Sequence, residues 1–121
     1  MSRRGCVVDE RVLHETLPGG AQVLRWPHRH ALPEEEVMAF FHARGIAATR
    51  WSNPPGTVHE EHAHAYRKTL FCVGGTITLH LPDEDRDVCL APGDRLTLPP
   101  GVRHRAVVGE GGVTCIEGGA S

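Results

Sequence analysis

Gly56-Thr57-Val58-His59-Glu60-Glu61-His62-Ala63-His64-Ala65-Tyr66-Arg67-Lys68 is the stretch on which the reading of this chain turns. In extended backbone alternate side chains share a face, so His62 and His64 point the same way. Two imidazoles one residue apart can grip a single ion, provided a third ligand arrives from another strand. His104 is the natural donor. It ends the run Gly93-Asp94-Arg95-Leu96-Thr97-Leu98-Pro99-Pro100-Gly101-Val102-Arg103-His104, in which Pro-Pro-Gly reverses the chain just before the histidine. His59 stands an odd step from His62 and His64, which predicts a rim position and not a ligand position.

The text around these segments reads as β-structure. Residues 46–51, 68–73, 76–81, 87–90, 95–98, 102–108 and 113–117 are short and rich in β-branched or apolar side chains. Gly74-Gly75, Pro82-Asp83-Glu84-Asp85, Ala91-Pro92-Gly93-Asp94, Pro99-Pro100-Gly101 and Gly109-Glu110-Gly111-Gly112 separate them, and turn signals at this spacing argue for an antiparallel sandwich or barrel. The last of these has no Lys-Ser or Lys-Thr and reads as a hairpin turn, not a phosphate cradle. One helix is predicted over 33–44, with proline in its first turn, three glutamates at the positive end of its dipole and Gly45 to close it. Val37, Phe40 and Phe41 form an apolar stripe on it that must rest on a sheet. In the first 30 residues, apolar pieces around Val7-Val8, Val12-Leu13 and 21–26 are broken by Pro18-Gly19-Gly20, and one or two short edge strands are expected there.

With 121 residues the chain has room for one domain, 1–121, with the barrel core at about 46–117. Thirteen Lys plus Arg against fifteen Asp plus Glu is too even a balance for an electrostatic nucleic-acid binder, and six aromatic residues furnish a base-stacking platform thinly. Ser2, Ser52 and Ser121 are the only serines, and none sits in a G-x-S-x-G context, which argues against a serine hydrolase. No apolar run is long enough to cross a bilayer, and no signal-like apolar segment follows the start, so no membrane contact and a cytoplasmic location are expected. Without a C-x-x-C pair, Cys72, Cys89 and Cys115, each among apolar neighbours, read as small buried hydrophobes. Nine histidines stand out against this background.

The two quoted segments resemble the paired motifs of the cupin superfamily. The first family motif, G-x5-H-x-H-x3-E-x6-G, corresponds to Gly56, His62, His64, Lys68 and Gly75; the second, G-x5-P-x-G-x2-H-x3-N, to Gly93, Pro99, Gly101, His104 and Val108. Every glycine, the proline and all three histidines fall at the family spacing, with 17 residues between the motifs. The resemblance implies an all-β fold, a double-stranded β-helix or jelly-roll barrel, here with one helix in the N-terminal region. It also implies a divalent metal (iron, manganese, nickel or zinc) held by His62, His64 and His104, and pairing of two copies into a homodimer.

Two positions depart from the pattern. Lys68 stands where the family has a ligand glutamate, and Val108 where it has asparagine. Leu70 and Cys72 share the parity of Lys68, which places the lysine in a barrel-facing row. An ammonium beside a divalent cation repels it. Three readings stay open: three histidines hold the metal with Lys68 swung aside; His59, Glu60, Glu61 or Tyr66 replaces the glutamate; or the site is metal-free and Lys68 supplies the positive charge. Tyr66 and Lys68 are the candidate catalytic residues, and a salt bridge from Lys68 to Glu60 or Glu61 is the plainer role for the lysine. Trp26 and Trp51 read as packing between helix and sheet, with lining of the cavity as the alternative, His28 and His30 as solvated loop, and Arg103 and Arg105 as outer-face charges. The likeness of such a site to the three-histidine cupin dioxygenases implies a metal-dependent, dioxygenase-like oxidoreductase for a small anionic molecule. The alternative is a noncatalytic small-molecule or metal-sensing module.

Overall fold

The computed structural model describes residues 12–120; Cys6 and the Val7-Val8 piece lie outside them. The element order is β1 (His14–Thr16), β2 (Gln22–Leu24), α1 (Glu34–Ala43), β3 (Thr49–Asn53), β4 (Val58–His62), β5 (Arg67–Leu81), β6 (Arg86–Leu90), β7 (Arg95–Leu98) and β8 (His104–Ala120). All pairings are antiparallel. The first half of β5 pairs with β7 and with the end of β8, and β1, β2 and β3 extend that layer. The second half of β5 pairs with β6 and with the start of β8, which also carries β4. Two layers thus share two long strands, the jelly-roll arrangement expected from the sequence.

The expected breaks at Gly74-Gly75 and at 109–112 are not turns. β5 and β8 run through them as single strands of 15 and 17 residues. The register between them slips at Cys72/Gly74 and at Gly75/Ile77, so each strand bends from one layer into the other at bulges. Gly75 (φ +68°) and Gly112 (φ +75°) meet there, and a Cβ on Gly75 would lie 1.9 Å from the Gly112 carbonyl oxygen. Glycine at this crossing permits close backbone approach, which a linear reading mistakes for chain reversal.

Leu70, Cys72, Leu96, Leu98 and Cys115 of one layer face Ile77, Leu79, Leu90, Ala106 and Val108 of the other, and all are buried. The Cys72 thiol donates to the carbonyls of Gly74 (3.5 Å) and Gly75 (3.4 Å) at the bend. Cys72 and Cys115 are free and buried, as expected. Cys89 corrects the sequence reading, because it is disulfide-bonded.

The helix forms where predicted, with Pro33 as its extended cap and Glu34, Glu35 and Glu36 in its first turn. Its stripe packs on the outer face of the first layer, where Val37 and Phe41 are buried with Phe71 and Ile116 while Phe40 is partly buried. The N-terminal segment makes a hairpin around Pro18-Gly19-Gly20, and β2 joins the sheet through β7. Asp94, fully buried, secures that junction by accepting from the backbone N–H of Trp26 (3.0 Å) and Ala91 (2.9 Å) and from Arg25 Nη1 (3.0 Å).

Candidate metal centre

The motif histidines converge. The ligand nitrogens of His62, His64 and His104 all lie within 4.8 Å of one another. Ring centroids are 4.4 Å apart for His62 and His104, 4.7 Å for His62 and His64, and 5.2 Å for His64 and His104. His62 closes β4 directly opposite His104, which opens β8, and His64 follows in the irregular segment that leads into β5. The Gly101 N–H donates to the His64 carbonyl at 2.8 Å, so the Pro-Pro-Gly turn ties the two motifs together.

The hydrogen bonds orient the rings. His62 Nδ1 lies 2.7 Å from the Glu60 carbonyl and His104 Nδ1 3.0 Å from the Val102 carbonyl. A carbonyl only accepts, so each Nδ1 carries the proton and each Nε2 keeps its lone pair. The Nε2 atoms of His64 and His104 are buried without a hydrogen-bond partner. Orphaned buried acceptors are costly in an apolar barrel, and a cation is the partner that would satisfy several of them at once. Burial pushes the His104 imidazole down to about 4, and burial together with the Lys68 charge lowers that of His64. Both rings are therefore neutral near pH 7, the state a ligand needs. The donor set fits a divalent first-row metal, with three imidazoles leaving coordination positions open.

The cavity beside the trio measures about 390 Å³ and is bounded by Trp51, His59, Lys68, Leu70 and Glu117, among others. Lys68 faces it, as parity required, but the amine is held by Glu117 at 3.1 Å, with the two side chains 13% and 25% exposed. Neither Glu60 nor Glu61 is its partner; Glu61 pairs with Arg103 and Arg105 outside the barrel. Trp51 also lines the cavity, and its Nε1–H donates to Glu117 Oε1 at 3.0 Å. Trp26, by contrast, lies against the helix side.

Glu117 is the residue the sequence reading missed. A signal was available, since Val113, Cys115 and Glu117 alternate along one strand and the first two are apolar. His59 is a second correction. Its odd spacing predicted a rim position and not a ligand position; it stays outside the three-histidine cluster but lines the cavity. Between His59, opposite Ala106, and His62, opposite His104, β4 carries one more residue than β8. That bulge resets the parity, so both histidines face inward. The His59 ring is held by Asn53 Oδ1 at 2.8 Å and leans on Trp51. Tyr66 is exposed at the mouth, its ring 4.8 Å from that of His64 and outside the cavity lining. Arg103 and Arg105 lie on the outer face as expected, and Arg103 pairs with Asp83 as well as Glu61.

No curated protein sequence matches this chain. Among solved structures the barrel is similar to RmlC from Streptococcus suis in complex with dTDP-D-xylose (13% identity, 89% of this chain and 69% of that one, TM-score 0.63). It is similar also to an RmlC-like cupin from Shewanella frigidimarina (20% identity, 93% and 86%, TM-score 0.55). A third likeness is to acireductone dioxygenase from Bacillus anthracis with a cadmium ion in its active centre (24% identity, 73% and 59%, TM-score 0.58). At these identities the likeness speaks to the fold. The family profile described as cupin domain matches residues 49–117, more than half of the chain and both histidine motifs. The chain belongs to the cupin-domain family.

Proposed function

We propose that this protein holds a divalent metal ion through His62, His64 and His104 and is a metal-dependent oxidoreductase of the dioxygenase kind for a small anionic molecule. The observation that carries the reading is the convergence of three imidazoles, two of them with buried, unpartnered Nε2 atoms. A bound iron, manganese, nickel or zinc ion would supply a Lewis acid with positions free for an anion. The likeness to a metal-bearing dioxygenase agrees with this.

The chain's own residues account for the rest. Three neutral ligands leave the double charge of the ion uncompensated, and Lys68 with Glu117 forms a neutral pair, so the cavity as a whole attracts an anion. A volume of about 390 Å³ admits a small molecule only. Lys68, an N–H donor already fixed by Glu117, is placed to orient a carboxylate or enolate oxygen. The indole of Trp51 holds Glu117 in position, and Leu70, Ile77 and Leu79 exclude water from the inner end of the cavity. Tyr66 packs its ring beside that of His64, from outside the cavity lining.

The charge of Lys68, which reaches His64, supports a second reading, a noncatalytic binding module in which the lysine weakens or replaces the ion. Elemental analysis of protein purified without chelator, beside His62→Ala, tests the metal. A stoichiometric ion lost in the variant supports the site, and equal, near-zero content in both removes it. Oxygen uptake by the iron-loaded protein with small acids, diketones and thiols then separates enzyme from binding module; no turnover beside tight ligand binding selects the latter.

A further inference from the structure

The opposite face of the same strands holds a second cavity. Phe71 of β5 and Arg95 of β7 are cross-strand partners, and both point away from the barrel interior, since Leu70 and Leu96 beside them are core residues. Helix α1 and the segment after β2 close over this face and leave a crevice of about 410 Å³. Its wall is apolar, with Trp26, Leu32, Phe40 and Phe71 contributing. The Trp26 ring lies so close over the backbone at Gly93 that a Cβ there would fall 2.4 Å from it.

Among the described residues, one cation stands in that wall without a counter-ion. The Arg95 guanidinium lies 5.0 Å from the ring centroid of Phe40 and 5.6 Å from that of Phe71. Arg44 lies over the same Phe40 ring at 3.5 Å. Four cationic side chains are partly buried among the described residues: Arg25, Lys68, Arg86 and Arg95. Arg25 pairs with Asp94, Lys68 with Glu117 and Arg86 with Glu15. Among the described residues Arg95 pairs with no carboxylate, and Glu36, the one carboxylate of the described crevice wall, makes no ion pair with it. Burial and the neighbouring Arg44 charge both depress its proton affinity. Aromatic faces compensate a desolvated guanidinium only in part, and two guanidiniums on one ring repel each other.

We propose that this crevice is a binding site for an amphipathic monocarboxylate. The carboxylate would accept the paired N–H groups of Arg95, for which the planar guanidinium is shaped, while an alkyl or aryl tail lies along Trp26, Leu32 and Phe40. The charge of Glu36 on the same wall selects one carboxylate over two. The sheet separates this crevice from the metal centre, so the inference is independent of the function proposed above.

Octanoate and its neutral counterpart octan-1-ol are the probes, titrated calorimetrically into the full chain. Octanoate binds at least tenfold more tightly than octanol. Arg95→Met brings octanoate down to within about twofold of octanol and leaves octanol unchanged, while His104→Ala leaves both unchanged. In the unaltered protein, nuclear Overhauser contacts connect the octanoate methylenes with the Phe40 and Phe71 ring protons, a readout that needs no variant to fold. Equal affinity for acid and alcohol overturns the proposal, as does full octanoate binding by Arg95→Met. Loss of binding in His104→Ala, or binding without those ring contacts, places the ligand in the barrel and overturns it too. Absence of binding at 10 mM octanoate has the same force. A dimer that Arg95→Met dissociates would mean that a second copy occupies the crevice, and that also overturns it.

Discussion

Lys68 and Arg95 sit on opposite faces of one pair of strands, both partly buried, and the fold treats them differently. Inside the barrel Lys68 meets Glu117 at 3.1 Å, and Trp51 holds the same carboxylate. Outside, Arg95 meets the rings of Phe40 and Phe71 and, among the described residues, no carboxylate. The inner cation is neutralised, so the charge of the inner cavity is left for whatever the three histidines hold. The outer cation is left over. The contrast teaches that partial burial alone does not fix the state of a cation; whether a carboxylate from a distant strand meets it does.

The largest expected effect tests whether the two faces are energetically separate. Phe41, fully buried beneath the helix, belongs to the outer cluster, and Phe41→Ala is expected to cost about 3–5 kcal/mol in urea unfolding. The folded variant should retain the metal content of the parent; a parallel loss of metal would join the faces into one unit.

Next comes pH. Folding lowers the His104 value from 6.5 to about 4, so between these limits the unfolded chain binds the proton that the folded one refuses. Stability of the chelator-treated protein therefore falls as pH drops from about 6.5 to 4, by about 3 kcal/mol, and this contribution is flat below. The lowered value of His64 acts in the same direction. Urea unfolding across that range should show the slope in the parent and a smaller one in His104→Ala.

Smaller, and directed at the comparison itself, is the pair of methionine substitutions. Lys68→Met strands Glu117 and is expected to destabilise by about 1–2 kcal/mol, a loss that Glu117→Gln in the same chain should largely restore. Arg95→Met strands no carboxylate, and its effect should stay within about 0.5 kcal/mol. Equal losses in thermal or urea unfolding would erase the distinction drawn between the two cations.

Much of this was legible in the sequence because it depends on local spacing. The glycine, proline and histidine intervals of 56–75 and 93–104 pointed to the fold through their likeness to the cupin motifs, and parity placed Lys68 with Leu70 and Cys72 toward the interior. Parity counting failed at His59, because one extra residue in β4 turned the side chain inward. The punctuation reading failed at Gly75 and at 109–112, because glycine there serves a close crossing of two strands and does not reverse the chain. Cys89 was misjudged because a disulfide depends on which residues meet in space.

The chain by itself determined its β-rich architecture and the single amphipathic helix, since each follows from periodicity, and its motif intervals named the three imidazoles through their likeness to a known family. Tertiary structure decided that the three imidazoles meet, which carboxylate answers Lys68, which way His59 faces and which partly buried arginine, among the described residues, has no carboxylate partner. Those are outcomes of pairing between strands far apart along the backbone. A register between distant strands is set by the sum of all contacts across the sheet, and no short window of sequence contains that sum.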